Sequence, residues 1–260
     1  MKINRILFLV VIISLFLTPS VYGYVCNLVQ NPFNIKIDGS YQDIEAYNIN
    51  GYTYFKLRDI GEKTGFNVDF KNNEIIIKSN QNILMDLIES TCLIKVYDNE
   101  KLLTSGSGTF INNNRILTNK HLIKHGVSKY TININDIEVE VKLLKESLNF
   151  DLAIFETVNY SNDKYVDFTP RTNNTAITIS NPNGIKRQIN YGEYLGFNIY
   201  IPAYGGFYTE TTNDTRPGSS GGLLIDGNYN CYGVVTGKSE DGMCLSVMYE
   251  NIIEFLKKNE

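Results

Sequence analysis

The sequence predicts a mainly β protein: an antiparallel barrel or sandwich, preceded by a small α+β module and closed by a helix. Three observations carry that prediction. From Thr91 onward, short apolar segments recur at close spacing with turn residues between them, the pattern of an all-β domain. Residues 31–78 instead mix hairpin signals with one stretch of helical spacing. Residues 249–258 place Ile252, Ile253, Phe255 and Leu256 on one helical face.

The chain begins with Lys2 and Arg5, then a twelve-residue apolar run at 6–17, then Pro19 and Val21-Tyr22-Gly23. That order reads as a secretory signal over residues 1–23, with cleavage expected after Gly23. Twelve residues fall short of the ~20 that cross a bilayer as a helix, which argues against an uncleaved anchor. Gly23-Tyr24-Val25 is a poor lipid-attachment motif for Cys26. The mature chain is expected to be secreted, free or associated with the cell envelope, with no stable membrane insertion after cleavage.

In residues 31–78, Ile35-Lys36-Ile37 runs into Asp38-Gly39, and residues 46–49 into Asn50-Gly51; both dipeptides are hairpin turns. Residues 57–64 have helical spacing at Leu57, Ile60 and Thr64, and Gly65 supplies a C-terminal cap. Residues 66–70 alternate apolar and polar, Asn72-Asn73 turns, and 75–77 is a short strand, giving a ββαββ order. Tyr41, Tyr47, Tyr52 and Tyr54 read either as a face for a cell-wall or envelope partner, carbohydrate or protein, or simply as core. Residues 79–90 link the halves, and Ile83, Leu84, Leu87 and Ile88 give the linker an apolar helical face that can rest on the barrel.

Beyond the linker, strands are expected at 93–97, 106–111, 115–118, 130–134, 138–144 and 153–156, enough for one six-stranded barrel. A second set is expected at 166–168, 176–180, 188–195, 207–211, 223–225, 231–236 and 243–247. The whole chain, 260 residues and 43% hydrophobic, can build a substantial core in one or two domains. A net charge of −4 with no basic block argues against nucleic acid as a partner.

Four cysteines, Cys26, Cys92, Cys231 and Cys244, allow three disulfide pairings in an exported protein. Cys231 and Cys244 flank an expected hairpin, so a bridge between them is one expectation, with Cys26–Cys92 joining the module to the next domain. Four buried thiols are the alternative.

The densest chemical signal is Thr215-Arg216-Pro217-Gly218-Ser219-Ser220-Gly221-Gly222. Glycines and a proline around one serine suit a sharp bend that presents a hydroxyl beside free N–H groups, as acyl transfer requires. An ordinary Gly/Ser loop is the plain alternative. A serine nucleophile needs an imidazole base, and the imidazole a carboxylate to set its tautomer. Only two histidines exist, and His121 in Thr118-Asn119-Lys120-His121 closes an apolar run. Asp151 opens another, Asp151-Leu152-Ala153-Ile154. Gly218-x-Ser220-x-Gly222 also fits the α/β-hydrolase elbow, but that fold needs a histidine after the serine, and none follows Ser220. His125, four residues after His121, could complete a helical metal pair; Lys120 and Lys124 oppose a cation there and no third ligand is offered. No CxxC or Cys/His cluster calls for zinc. No metal and no cofactor is expected.

These motifs, in the order His121, Asp151, Ser220, resemble the trypsin-like serine proteases. Gly106-Ser107-Gly108-Thr109-Phe110-Ile111, followed by Ile116 to His121, is similar to their strand-to-histidine segment, and Gly218-Ser219-Ser220-Gly221-Gly222 to their Gly-x-Ser-Gly-Gly. Thr178-Ile179-Ser180-Asn181-Pro182-Asn183-Gly184 resembles a turn of the bacterial branch, the glutamyl endopeptidases and high-temperature-requirement proteases. The resemblance covers roughly residues 91–258, within an expected protease domain of residues 91–260. It implies two six-stranded antiparallel barrels of the chymotrypsin type with a C-terminal helix, and a serine endopeptidase acting on proteins or peptides. His121, Asp151 and Ser220 would be catalytic, and the N–H groups of Gly218 and Ser220 would form the oxyanion hole. Asp214 and Thr215 would floor the primary pocket, with Thr236, Gly237 and Lys238 pairing with substrate backbone. Asp214 there favours a basic side chain and Lys238 an acidic one, so the residue preceding the cleaved bond stays open. Asn50-Gly51-Tyr52-Thr53-Tyr54-Phe55-Lys56-Leu57-Arg58-Asp59-Ile60-Gly61 resembles the stalk-type N-terminal domain of copper amine oxidases, here without His or Cys and so without copper. A function of another class remains: an envelope-binding protein with a non-catalytic protease-like scaffold.

Overall fold

Alternation of apolar and polar residues, punctuated by turns, produces the strands the sequence predicts. The computed structural model describes residues 29–30, 34–37, 40–49, 52–71, 73–201 and 206–257. The signal segment, Cys26 and the turn residues 38–39, 50–51 and 72 lie outside the described residues. The chain divides into two units, Met1–Ile77 and Lys78–Glu260.

The first unit is α+β. Strands β1 (Val29–Gln30), β4 (Ala46–Ile49) and β5 (Tyr52–Phe55) form one sheet in the order β1-β4-β5. Strands β2 (Ile35–Ile37) and β3 (Ser40–Gln42) form a hairpin, as do β6 (Phe66–Lys71) and β7 (Glu74–Ser79). Helix α1 (Leu57–Thr64) ends on Gly65 in the left-handed conformation, φ 81°, whose N–H closes onto the Gly61 carbonyl. Buried apolar side chains are few here: Ile44, Ala46 and Val68. Tyr41, Tyr52 and Tyr54 are exposed, so they are not core.

The second unit holds the main core. Helix α2 (Asn80–Glu89) occupies the expected linker; the Ser79 hydroxyl accepts from the Asn82 N–H as its N-cap. Leu87 is buried, with Ile83, Leu84 and Ile88 packed on the same cluster, so this helix belongs to the second unit. Six strands close the first barrel in the order β10-β13-β12-β11-β8-β9. They are β8 (Thr91–Asp98), β9 (Lys101–Phe110), β10 (Arg115–Thr118), β11 (Lys129–Ile134), β12 (Ile137–Glu146) and β13 (Ala153–Thr157). Ile94, Phe110, Ile116, Ile132 and Phe155 fill it with no solvent exposure.

The second barrel closes as β14-β15-β16-β19-β18-β17. Its strands are β14 (Thr175–Ser180), β15 (Gln188–Ile201), β16 (Gly206–Thr211), β17 (Leu223–Ile225), β18 (Cys231–Lys238) and β19 (Cys244–Met248). All strand pairs are antiparallel. Helix α3 (Tyr249–Lys257) seats Ile252 and Phe255 in a cluster that also takes Leu117 and Leu152 of the first barrel and Ile179 and Leu223 of the second. That shared cluster joins the barrels and fixes the cleft between them.

Two expectations are corrected. Residues 166–168 are not a barrel strand: only Phe168 makes a bridge, parallel, to Cys231. Val166 and Phe168 alternate because both are buried in the connection between barrels, which the Val166 N–H ties to the Phe110 carbonyl. Cys231 and Cys244 form no disulfide; with Cys92 they are free, buried thiols. Antiparallel register explains this: Cys244 faces Lys238 beside the turn, whereas Cys231 begins β18 at its far end, opposite Ile225. Cys92, the expected partner of Cys26, packs as an apolar group in the first barrel.

Candidate active site

Strand β10 delivers His121. After Thr118, whose hydroxyl donates to the Ser107 carbonyl at 2.7 Å, the chain turns through a short 3₁₀ helix, Lys120–Leu122. Leu122 is buried under that turn, and Lys120 Nζ donates to the Ser147 carbonyl at 2.8 Å, so the imidazole is left facing the cleft. Asp151 stands just before β13, 7% exposed, beside the fully buried Leu152. Both of its carboxylate oxygens serve His121: Oδ1 accepts the His121 backbone N–H at 2.9 Å, and Oδ2 lies 2.7 Å from Nδ1. A carboxylate can only accept, so Nδ1 carries the proton and Nε2 is the basic nitrogen.

Ser220 sits on a turn that only glycine permits at two places. Gly221 has φ +85°, and a Cβ there would lie 1.9 Å from the Ser107 carbonyl oxygen. Gly218 has φ +96°, with the Asn181 carbonyl oxygen 2.8 Å from where its Cβ would be. The turn is bonded on both sides. Ser107 N–H donates to Ser220 O at 2.6 Å, Ser107 Oγ to Gly218 O at 2.8 Å, and Gly221 N–H to Val235 O at 2.8 Å. Pro217 O accepts from the Asn183 N–H at 2.7 Å. Among the described residues, the N–H groups of Gly218 and Ser220 have no acceptor within the chain. Ser220 Oγ donates to the Thr236 carbonyl at 2.8 Å.

His121 and Ser220 line one cavity of about 320 Å³. Thr215, Arg216 and Lys238 line it too, as do Thr236 and Gly237. β17 pairs with β18 only as far as Val234, so on the side away from β19 residues 236–238 leave an edge able to hydrogen-bond an extended chain. Asp214, expected on the pocket floor, does not line this cavity. It accepts from Arg216 Nε at 2.9 Å and from Lys238 Nζ at 3.3 Å. Lys238 and then Arg216 hold its carboxyl below the ordinary carboxylate range. His125 is exposed and lies 3.5 Å from Glu146; among the described residues no three His, Cys, Asp or Glu side chains gather as a metal site. A larger cavity of about 350 Å³, lined by Arg171, Tyr194 and Tyr232, contains none of the expected site residues.

Three buried polar residues had no role in the sequence reading. Asn119, fully buried, donates from Nδ2 to the Asp151 carbonyl at 2.9 Å and to Thr236 Oγ1 at 3.2 Å, touching both barrels. Ser107 Oγ accepts from the Asn181 N–H at 2.8 Å while holding Gly218. Asn181 Nδ2 in turn donates to the Cys92 carbonyl at 2.8 Å. For Asn119 the signal was a polar residue just after the apolar run Ile116-Leu117, since such a group is buried only when it is bonded; Ser107 and Asn181 stand among other polar residues and carried no such signal.

A family model described as a trypsin-like peptidase domain matches residues 106–234, a span containing His121, Asp151 and Ser220. The fold is trypsin-like. Among solved structures, the trypsin-like unit is similar to the HtrA-type protease AlgW with tripeptide, at 20% identity and TM-score 0.61, over 69% of this chain and 63% of that one. The chain thus spans under two thirds of AlgW. It is also similar to the Rv3671c protease from M. tuberculosis. The active form aligns at 20% identity and TM-score 0.60, over 69% of this chain and 84% of that one. The inactive form aligns at 20% identity and TM-score 0.58, over 69% and 93%. A comparison with curated proteins finds no match.

Proposed function

We propose that this protein is an exported serine endopeptidase that hydrolyses proteins or peptides through an acyl-enzyme. The observation that carries the reading is the His121–Asp151 pair opening onto the same cavity as Ser220. Ser220 Oγ attacks the scissile carbonyl carbon and its proton passes to His121 Nε2. The hydroxyl hydrogen must first swing away from the Thr236 carbonyl, and free enzymes often hold such bonds loosely until substrate arrives. Asp151 keeps the imidazole in its tautomer and stabilises the imidazolium. The N–H groups of Gly218 and Ser220 receive the developing oxyanion, a donation typically worth about 3 kcal/mol of barrier per donor. His121 then protonates the leaving amine as the C–N bond breaks. Water, deprotonated by the same nitrogen, attacks the ester, and Ser220 recovers its proton.

Export rests on Lys2, Arg5 and the apolar run at 6–17. A fluorophosphonate probe on the full chain tests the chemistry. Labelling of the wild type and none of Ser220→Ala is expected. The competing reading is an envelope-binding protein whose stalk-type module, residues 31–78, does the work while the barrels are a scaffold. The exposed Tyr41, Tyr52 and Tyr54 favour it. It requires that neither protein be labelled, and that outcome would replace the enzyme reading.

A further inference from the structure

We propose that the cavity of about 350 Å³ on the second barrel binds a zwitterion with an apolar body, a free amino acid or a short peptide carrying both end charges. None of its lining residues lines the cavity that holds His121 and Ser220. Its occupancy is therefore independent of the serine endopeptidase reading.

Two opposite charges frame the cavity. Arg171, half-buried, and Glu250, exposed in the first turn of α3, both line it. They form no ion pair with each other, and among the described residues neither pairs with any other charged side chain. Arg171 is held in place with donors to spare. Its Cζ lies 3.6 Å from the centre of the Tyr194 ring, and Nη1 donates to the Asn173 carbonyl at 3.1 Å and to Asn174 Oδ1 at 3.0 Å. A guanidinium carries more N–H groups than those bonds use, so Nε and Nη2 remain for a carboxylate.

Tyr232 adds an independent observation. It lines the cavity, is 3% exposed, and its hydroxyl has no hydrogen-bond partner. A buried hydroxyl left unbonded is costly, and burial keeps this phenol protonated, so it stands ready as a donor. A ligand carboxylate supplies acceptors for Arg171 and Tyr232. A ligand ammonium supplies the donor that Glu250, which can only accept, requires. Pro170 and Met248 give the wall an apolar stretch for a side chain to lie on. A plain carboxylic acid meets a like charge in Glu250, and a plain amine meets one in Arg171; a zwitterion answers both. Both charged side chains reach water, so the gain per charge is modest.

The test uses the full chain as Ser220→Ala, so that no ligand is turned over, and titration calorimetry with leucine and leucyl-leucine. One of the two should bind saturably, and the tighter tells whether one residue or two span the charges. That ligand should outbind its own amide, which lacks the carboxylate, by about tenfold, and its own N-acetyl form, which lacks the ammonium, by about threefold or more. Arg171→Met should erase the penalty of amidation and Glu250→Gln that of acetylation. Glu250 is exposed, so its variant keeps the test valid even where Arg171→Met folds poorly. Tyr232→Phe should weaken binding several-fold yet leave the Tm of the unliganded protein unchanged or higher, since its hydroxyl has no bond to lose. An N-acetyl form that binds as tightly as the free amine, a penalty of acetylation untouched by Glu250→Gln, or no saturable binding would overturn the proposal. Labelling of wild-type Ser220 is measured separately, so that reversal would leave the protease reading as it stood.

Discussion

The geometry of single residues explains why the two barrels can share one reacting centre. Asn119 Nδ2 has two acceptors, the Asp151 carbonyl in the first barrel and Thr236 Oγ1 in the second, and no solvent reaches it. Removing that donor leaves two buried acceptors unsatisfied, at about 1–3 kcal/mol. Asn119→Ala should therefore lower Tm by several degrees and reduce kcat/KM more than tenfold, with kcat carrying most of the loss. A variant that melts lower yet keeps full kcat would mean that Asn119 only stabilises the fold. The motif made His121 visible in the sequence; Asn119 was hidden because its two partners lie 32 and 117 positions away.

At the level of elements, the hairpin joining β17 to β18 shows how one carboxylate organises a turn. Asp226, fully buried, accepts from Thr172 N–H and Oγ, Asn228 N–H and Asn230 N–H at 2.6–3.0 Å. Burial alone would raise its pKa, but hydrogen bonds from Asn230 and Thr172 outweigh burial and hold it below the ordinary range. A group depressed in the folded state contributes stability above its unfolded pKa of about 3.9 and loses it as pH falls through the folded value. Asp226→Asn should thus destabilise the unit by about 1–3 kcal/mol at pH 7. The gap in Tm between wild type and variant should close as pH falls below about 4. A gap independent of pH would show that shape, not charge, makes Asp226 valuable. The expected strands at 223–225 and 231–236 left room for this turn, just as Gly65 announced the end of α1. It misread residues 166–168, because burial of a connection imitates the alternation of a strand.

For the molecule as a whole, cohesion comes from packing. Cys92, Cys231 and Cys244 are free and buried; burial pushes the thiols up, Cys244 to about 11 and the other two further. A thiol that cannot ionise is unreactive. In a Cys26→Ser variant the native protein should release almost no colour from a disulfide reagent, and three thiols should titrate in denaturant. Reductant should leave Tm unchanged. Two thiols missing in denaturant without reductant would reveal a crosslink. Hairpins and the terminal helix were legible because each leaves a local pattern, and the two barrels through the family resemblance of the motifs. Disulfide pairing and the fate of Asp214 were not, because they depend on register and on which charges meet across a fold.

The bond from Asn183 to the Pro217 carbonyl has a consequence beyond holding a loop. A trans peptide is rigid, with its oxygen and hydrogen on opposite sides. Anchoring the Pro217 oxygen therefore aims the Gly218 hydrogen the other way, like one end of a seesaw. Whatever draws the Pro182–Gly184 turn aside frees that plane to roll over, presenting an oxygen where an N–H had been. On the proposed protease reading, activity would then fall from residue 183, with His121, Asp151 and Ser220 still in place.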